Sequence, residues 1–121
     1  MLNSYKELIV WQKAFKLCIK VFRITSNFPK SELYGLVSQM RRCSVSIPSN
    51  IAEGYTRGYR QEYLQFLRTA FASGAELETQ LLLAKELNLI TLEEFKDVNR
   101  LLTEVMKMLN VLISKLNHSK P

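Results

Sequence analysis

Seven polar residues recur at helical spacing in the second quarter of the chain: Gln39, Arg42, Ser46, Ser49, Asn50, Glu53 and Arg57. At 3.6 residues per turn they share about a 100° sector of one helix. Hydroxyls, an amide, a carboxylate and guanidinium groups are the materials of hydrolysis, phosphate binding and metal chemistry, yet each of those needs a partner that is missing. The only histidine, His118, sits at the far end of the sequence, so a Ser–His relay is not available. One carboxylate cannot do two-carboxylate chemistry. A metal site wants several convergent His, Cys or acidic ligands, and Glu53 stands nearly alone. Arg42, Ser46, Asn50 and Glu53 therefore read as a structural polar stripe that hydrogen-bonds neighbouring helices, with Glu53 and Arg57 paired at i, i+4. The expectation is a protein with no enzymatic activity, metal or cofactor.

A second pattern points to binding. Lys13, Lys16, Lys20 and Arg23 stand at i, i+3, i+7 and i+10, a ridge about 15 Å long at 1.5 Å rise per residue. Such a ridge can neutralise several phosphates of a nucleic-acid strand and release their counterions. No aromatic residue interleaves it, so base stacking and sequence readout are not expected. Arg57 and Arg60, at the turn after the second helix, extend the patch. The net charge is +6, and it is uneven: residues 1–60 hold ten Lys/Arg against three acids, residues 61–121 seven against eight. A basic half attracts polyanions; on a lone helix the same ridge is more often a solvated face.

The elements that must carry these residues are helices. At 121 residues with 47% apolar content, four glycines and three prolines, the chain suits one domain with one core. Four helices are expected over about 7–27, 32–56, 60–88 and 92–117, separated by Pro29, Gly58 and Asn88. In the first, Ser4 and Glu7 have capping-box spacing, and Leu8, Trp11, Phe15, Cys18 and Phe22 form the core stripe. Val10, Leu17 and Ile24 make a second apolar direction, which asks for a contact beyond the domain's own core.

The second helix, capped by Ser31, points Leu33, Leu36, Val37, Met40, Ser44, Ile47 and Ile51 inward. Pro48 falls within it, but the phase resumes at Ile51, so a kinked continuous helix is expected; Gly54 and Gly58 then bracket a turn. The third buries Tyr63, Phe66, Leu67, Ala70, Gly74, Leu77, Leu81 and Ala84, with a second stripe at Leu64, Phe71, Ala75 and Leu82. Asn88 supplies the left-handed residue that closes it. The fourth opens on a Thr91–Glu94 capping box, and Phe95, Val98, Leu102, Val105, Leu109, Leu112 and Leu116 make a heptad seam. Short connections between long helices give an all-α, antiparallel up-down-up-down four-helix bundle, with a frayed tail from Asn117.

Four stretches carry a resemblance: "VWQKA" at 10–14, "FPKSELYGL" at 28–36, "QMRRCSVSIPSNIAEG" at 39–54 and "ELETQL" at 76–81. In order and spacing the chain resembles the bacterial four-helix-bundle family named after proteins encoded in intervening sequences of 23S rRNA genes. It is similar, too, to the accessory variability proteins of diversity-generating retroelements. The resemblance implies a homopentamer without enzymatic activity, and the retroelement relatives imply binding to RNA or DNA and to a reverse transcriptase. Five copies at +6 would carry a formal +30, multiplying phosphate contacts by avidity. Where the family usually caps helix three with Ser or Thr, this chain has Tyr59, with Glu62 still at the matching third position.

Cys18 and Cys43 lie inside apolar helical patterns and read as reduced thiols. No apolar run approaches the roughly 20 residues that span a bilayer, and no signal-peptide layout is present at the start. The expected setting is the cytoplasm. The rival to nucleic-acid binding is a structural or protein-interaction module.

Overall fold

The computed structural model describes residues 4–118. Four helices follow one another, α1 (Ile9–Thr25), α2 (Ser38–Arg57), α3 (Arg60–Glu86) and α4 (Leu92–His118), and there is no strand among the described residues. Each helix packs on its neighbours in sequence and α1 also packs on α4, closing the square of an up-down-up-down bundle.

The helix ends follow local chemistry. Ser4 caps a short 3-10 turn, Tyr5–Glu7, accepting from the Lys6 amide at 3.1 Å, so α1 itself begins only at Ile9. At the start of α4 the Glu94 amide donates to Thr91 Oγ1 and the Thr91 amide donates to Glu94 Oε1, at 3.0 and 2.9 Å, completing the expected capping box. Asn88 takes φ +59. Around it the Leu89 amide reaches the Ala84 carbonyl and the Asn88 amide the Lys85 carbonyl, the paired bonds of a Schellman closure. At Gly58, φ +80 turns the chain between α2 and α3. Tyr59 caps α3 with extended backbone and no side-chain bond, as its lack of a short hydroxyl predicts.

Two expectations for the second helix change. Ser31 makes no cap; residues Lys30–Glu32 form a 3-10 turn and Leu33–Val37 a wide π-type turn, in which Gly35 leaves helical dihedrals at φ −106, ψ −105. Leu33 is consequently exposed rather than core. From Ser38 the helix runs unbroken through buried Pro48 to Arg57. Gly54 belongs to that helix and not to the turn. It is buried against α3, where an added Cβ would stand 2.7 Å from Phe66 Cβ.

The core of α1 is the stripe expected to face outward. Val10, Ala14, Leu17 and Val21 are buried, whereas Phe15 is 49% and Phe22 38% exposed. Both stripes are apolar, and the smaller side chains win the interior because α1 packs closely between α2 and α4; the aromatics remain on the flank. In α3, Leu64 is buried and Phe71 partly so, but Ala75 and Leu82 are exposed. The α4 seam is buried at Val98, Leu102, Val105 and Leu109 and partly covered at Phe95, Leu112 and Leu116. Asn117 and His118 are helical, and the rest of the expected frayed tail lies outside the described residues.

Candidate nucleic-acid interface

Folding sorts the four cations of the α1 ridge into two kinds. Lys13 and Lys20, seven residues apart, turn toward α4 and pair with Glu104 and Asp97 at 2.9 and 2.7 Å. The Asp97 carboxyl is held below its ordinary range first by the Lys20 hydrogen bond, and in smaller part by the charges of Lys20, Arg100 and Lys16. Lys16 and Arg23, three residues beyond each paired lysine, stand about 60° to one side of them round the helix and are exposed. Neither takes part in an ion pair.

The two other predicted binding residues lie at the C-terminal end of α2 and the start of α3, and both are engaged. Arg57 pairs with Glu53 at 2.9 Å and Glu62 at 3.4 Å and lies over the Phe66 ring at 5.2 Å. Its guanidinium pKa is raised, chiefly by the Glu53 hydrogen bond. Arg60 donates to the Leu116 carbonyl at 2.7 Å and thereby closes the C-terminal end of α4. Both arginines are thus engaged within the chain, whereas Lys16 and Arg23 are not.

The middle of the α2 polar stripe, Ser46 and Asn50, is built into packing. Ser46 Oγ and Ser73 Oγ of α3 are 2.8 Å apart, and Asn50 Nδ2 donates to both the Ser46 carbonyl, at 2.8 Å, and Ser46 Oγ, at 2.9 Å. Gln39, Arg42 and Ser49 remain exposed. No cluster of His, Cys or acidic residues that could hold a metal occurs among the described residues. Burial pushes the Cys43 thiol up, partly offset by a hydrogen bond from Gln80. Cys18 and Cys43 are both free thiols.

Several structural residues escaped the sequence pattern. Arg41 ties α2 to the end of α1, donating to Thr25 Oγ1 at 3.0 Å and to the Phe22 carbonyl at 3.3 Å, over the Phe22 ring at 4.8 Å. Asp97 and Glu104 could have been found: their seven-residue step mirrors that of Lys13 and Lys20 with opposite sign.

Beside the charged seam, the other flank of α1 is apolar and open. Trp11 stacks on Phe15 with centroids 5.1 Å apart, and Tyr5 meets Trp11 edge-on at 5.2 Å. With Cys18, Val45 and Pro48 these rings line a shallow groove of about 330 Å³ between α1 and α2. No helix among the described residues is long and apolar enough to cross a membrane.

The family model described as 23S rRNA-intervening sequence protein matches residues 6–111. A solved structure of a protein with unknown function from the S23 ribosomal protein family, from Bacteroides thetaiotaomicron VPI-5482, is similar in fold, with a TM-score of 0.79. It is 24% identical, over 87% of this chain and 98% of that one. No curated protein matches the chain.

Proposed function

The chain belongs to the 23S rRNA-intervening sequence protein family, and we propose that it is a non-enzymatic, self-associating protein that binds RNA or DNA through their phosphates. The observation that carries this reading is that Lys16 and Arg23 stay exposed and unpaired beside a seam whose other lysines are neutralised, on a chain of net charge +6. Charge of this kind supplies sequence-independent affinity by counterion release. Lys13 and Lys20 hold α1 on α4 and contribute little to binding; Arg57 and Arg60 are occupied by Glu53, Glu62 and the Leu116 carbonyl.

Self-association rests on the open aromatic flank of α1, where Phe15, Ile19 and Phe22 are 49%, 38% and 38% exposed. Contiguous exposed apolar surface of this kind marks interaction sites. A ring of five, the assembly that family resemblance implies, would gather the charge of every subunit onto one particle. The same flank favours a second reading, a protein-interaction module that never meets nucleic acid. The free thiols Cys18 and Cys43 suit a reducing, cytoplasmic setting.

Fluorescence anisotropy of mixed-sequence RNA and DNA across a salt series separates the two. Binding that weakens steeply with salt, and weakens further in Lys16→Glu/Arg23→Glu, supports the first reading. An absence of binding at low salt leaves the interaction module. Multi-angle light scattering gives the subunit number, and a monomer at high concentration removes the assembly.

A further inference from the structure

We propose that the phosphate track is composite, with α4 supplying half of it through Arg100 and Lys107 alongside Lys16 and Arg23 of α1. This rests on the nucleic-acid reading above and says where on the bundle the backbone lies.

The argument starts from register. A step of seven residues up α1, Lys13 to Lys20, matches a step of seven down α4, Glu104 to Asp97, because both lysines find carboxylates at 2.9 and 2.7 Å. Those two pairs form the floor of the α1–α4 seam and cancel one another. On each helix the residue three positions after the paired one is again a cation: Lys16 and Arg23 on α1, Arg100 and Lys107 on α4. Three residues turn a helix by 300°, so each of these four stands to the solvent side of the floor. All four are exposed and none is in an ion pair.

In the antiparallel register set by the floor, Lys16 comes level with Arg100. Both act on the Asp97 carboxyl as neighbouring positive charges, so both lie near it. Lys107 lies about 10 Å toward one end and Arg23 about 10 Å toward the other, seven residues being about 10.5 Å of helix. The result is a line of positive charge about 20 Å long, comparable to the rise of about six nucleotides at 3.4 Å per phosphate along a strand. Arg100, Thr103, Glu104 and Lys107 line an open depression with no aromatic side chain in it. The backbone is held there and the bases are not read.

The seven-residue repeat explains why charge by halves hides the site. Residues 61–121 are net acidic, yet Asp97 and Glu104 are paired with α1 lysines, which leaves Arg100 and Lys107 without an ion-pair partner, while Glu93 shares a depression with Arg100 at the Arg23 end of the track.

The test is the salt dependence of binding to mixed-sequence duplex DNA and single-stranded RNA by the full chain. Arg100→Gln and Lys107→Gln are compared with Arg68→Gln, which removes the same charge from an exposed position on α3. Each lost phosphate contact lowers the slope of log affinity against log salt by about 0.9 on duplex or about 0.7 on single strands. The expected result is that loss in the two α4 variants and none in Arg68→Gln, with all three retaining the thermal melt of the parent. Equal losses in all three variants overturn the track, since binding is then diffuse. Parent-like slopes in Arg100→Gln and Lys107→Gln, with Lys16→Gln weakened, also overturn it while leaving nucleic-acid binding intact. No binding by the parent removes both proposals.

Discussion

Ser46 Oγ and Ser73 Oγ face each other at 2.8 Å across the α2–α3 crossing. Asn50 donates to the same Ser46 hydroxyl, so Ser46 has a second partner and Ser73 does not gain one from this network. Replacing Ser73 by Ala removes one neutral hydrogen bond at a half-buried site, a loss of about 0.5–1.5 kcal/mol. Urea unfolding should show that shift with an unchanged m-value, and nucleic-acid binding should be untouched. A loss of binding without loss of stability would move this stripe from scaffold to site.

The helix positions, the α4 cap and seam, and Asn88 as the left-handed closure were legible because each follows from local chemistry: a capping pair, a heptad, a residue that tolerates positive φ. The two faces of α1 were not. Val10–Leu17 and Phe15–Phe22 are both apolar, and periodicity cannot say which one a neighbouring helix covers; the fit of Ala14 and Val21 between α2 and α4 decides it. The start of α2 misled because the pattern Leu33–Leu36–Val37 is helical, while Gly35 lets the backbone widen into a π-type turn. For the candidate site, the basic ridge was visible but its neutralisation was not, since Glu104 and Asp97 meet it only through tertiary register.

Gly54 and Gly74 both sit at helix crossings, but they should respond differently to alanine. A Cβ at Gly54 would collide with Phe66 Cβ at 2.7 Å, an atom fixed to the α3 backbone. At Gly74 the obstacle is the Met106 thioether, which can change rotamer. Alanine gains about 1 kcal/mol of helix propensity at either site. Gly54→Ala should still lose about 1–3 kcal/mol through overpacking, and Gly74→Ala should stay within about 1 kcal/mol of the parent. Denaturant melts of the two variants side by side decide the order.

Tyr63 presents a buried hydroxyl with no hydrogen-bond partner, edge-on to Tyr55 at 5.8 Å. Burial, with a smaller contribution from Tyr55, raises its pKa to about 12 from 10.0. Because the folded value lies above the unfolded one, the stability linked to Tyr63 is complete below pH 10 and is lost as pH climbs toward 12. Tyr63→Phe removes this share of the alkaline sensitivity and an unsatisfied polar group, while Cys43, whose thiol is also pushed up by burial, keeps its own. The variant should melt at or above the parent temperature at pH 8, and its melting temperature should fall less steeply above pH 10.

Arg60, expected at the phosphate surface, donates to the Leu116 carbonyl at the end of α4 at 2.7 Å. The two roles give opposite results in one variant. Arg60→Ala should cost about 1–2 kcal/mol, as charged hydrogen bonds at partly buried sites do, and should speed amide exchange in the last turn of α4. The salt slope of nucleic-acid binding should not change. A fall in that slope with stability intact would return Arg60 to the interface.

Asp97 offers the converse experiment, a gain. Its carboxylate accepts from Lys20 at 2.7 Å and sits among the positive charges of Lys16 and Arg100. Asp97→Asn removes the negative charge from the floor of the seam and releases Lys20 to solvent. With its folded pKa below the unfolded one, Asp97 supports the fold above the ordinary carboxylate range and ceases to as pH falls through the depressed value. The amide should therefore flatten the acid limb of stability slightly, the pair being exposed and screened. For binding, the seam gains one uncompensated positive charge, so the salt slope should steepen by about 0.7–0.9 and affinity at low salt should rise. Glu104→Gln should do the same for Lys13. If both variants bind as the parent does, the polyanion lies elsewhere on the bundle and the ion-pair floor serves register alone.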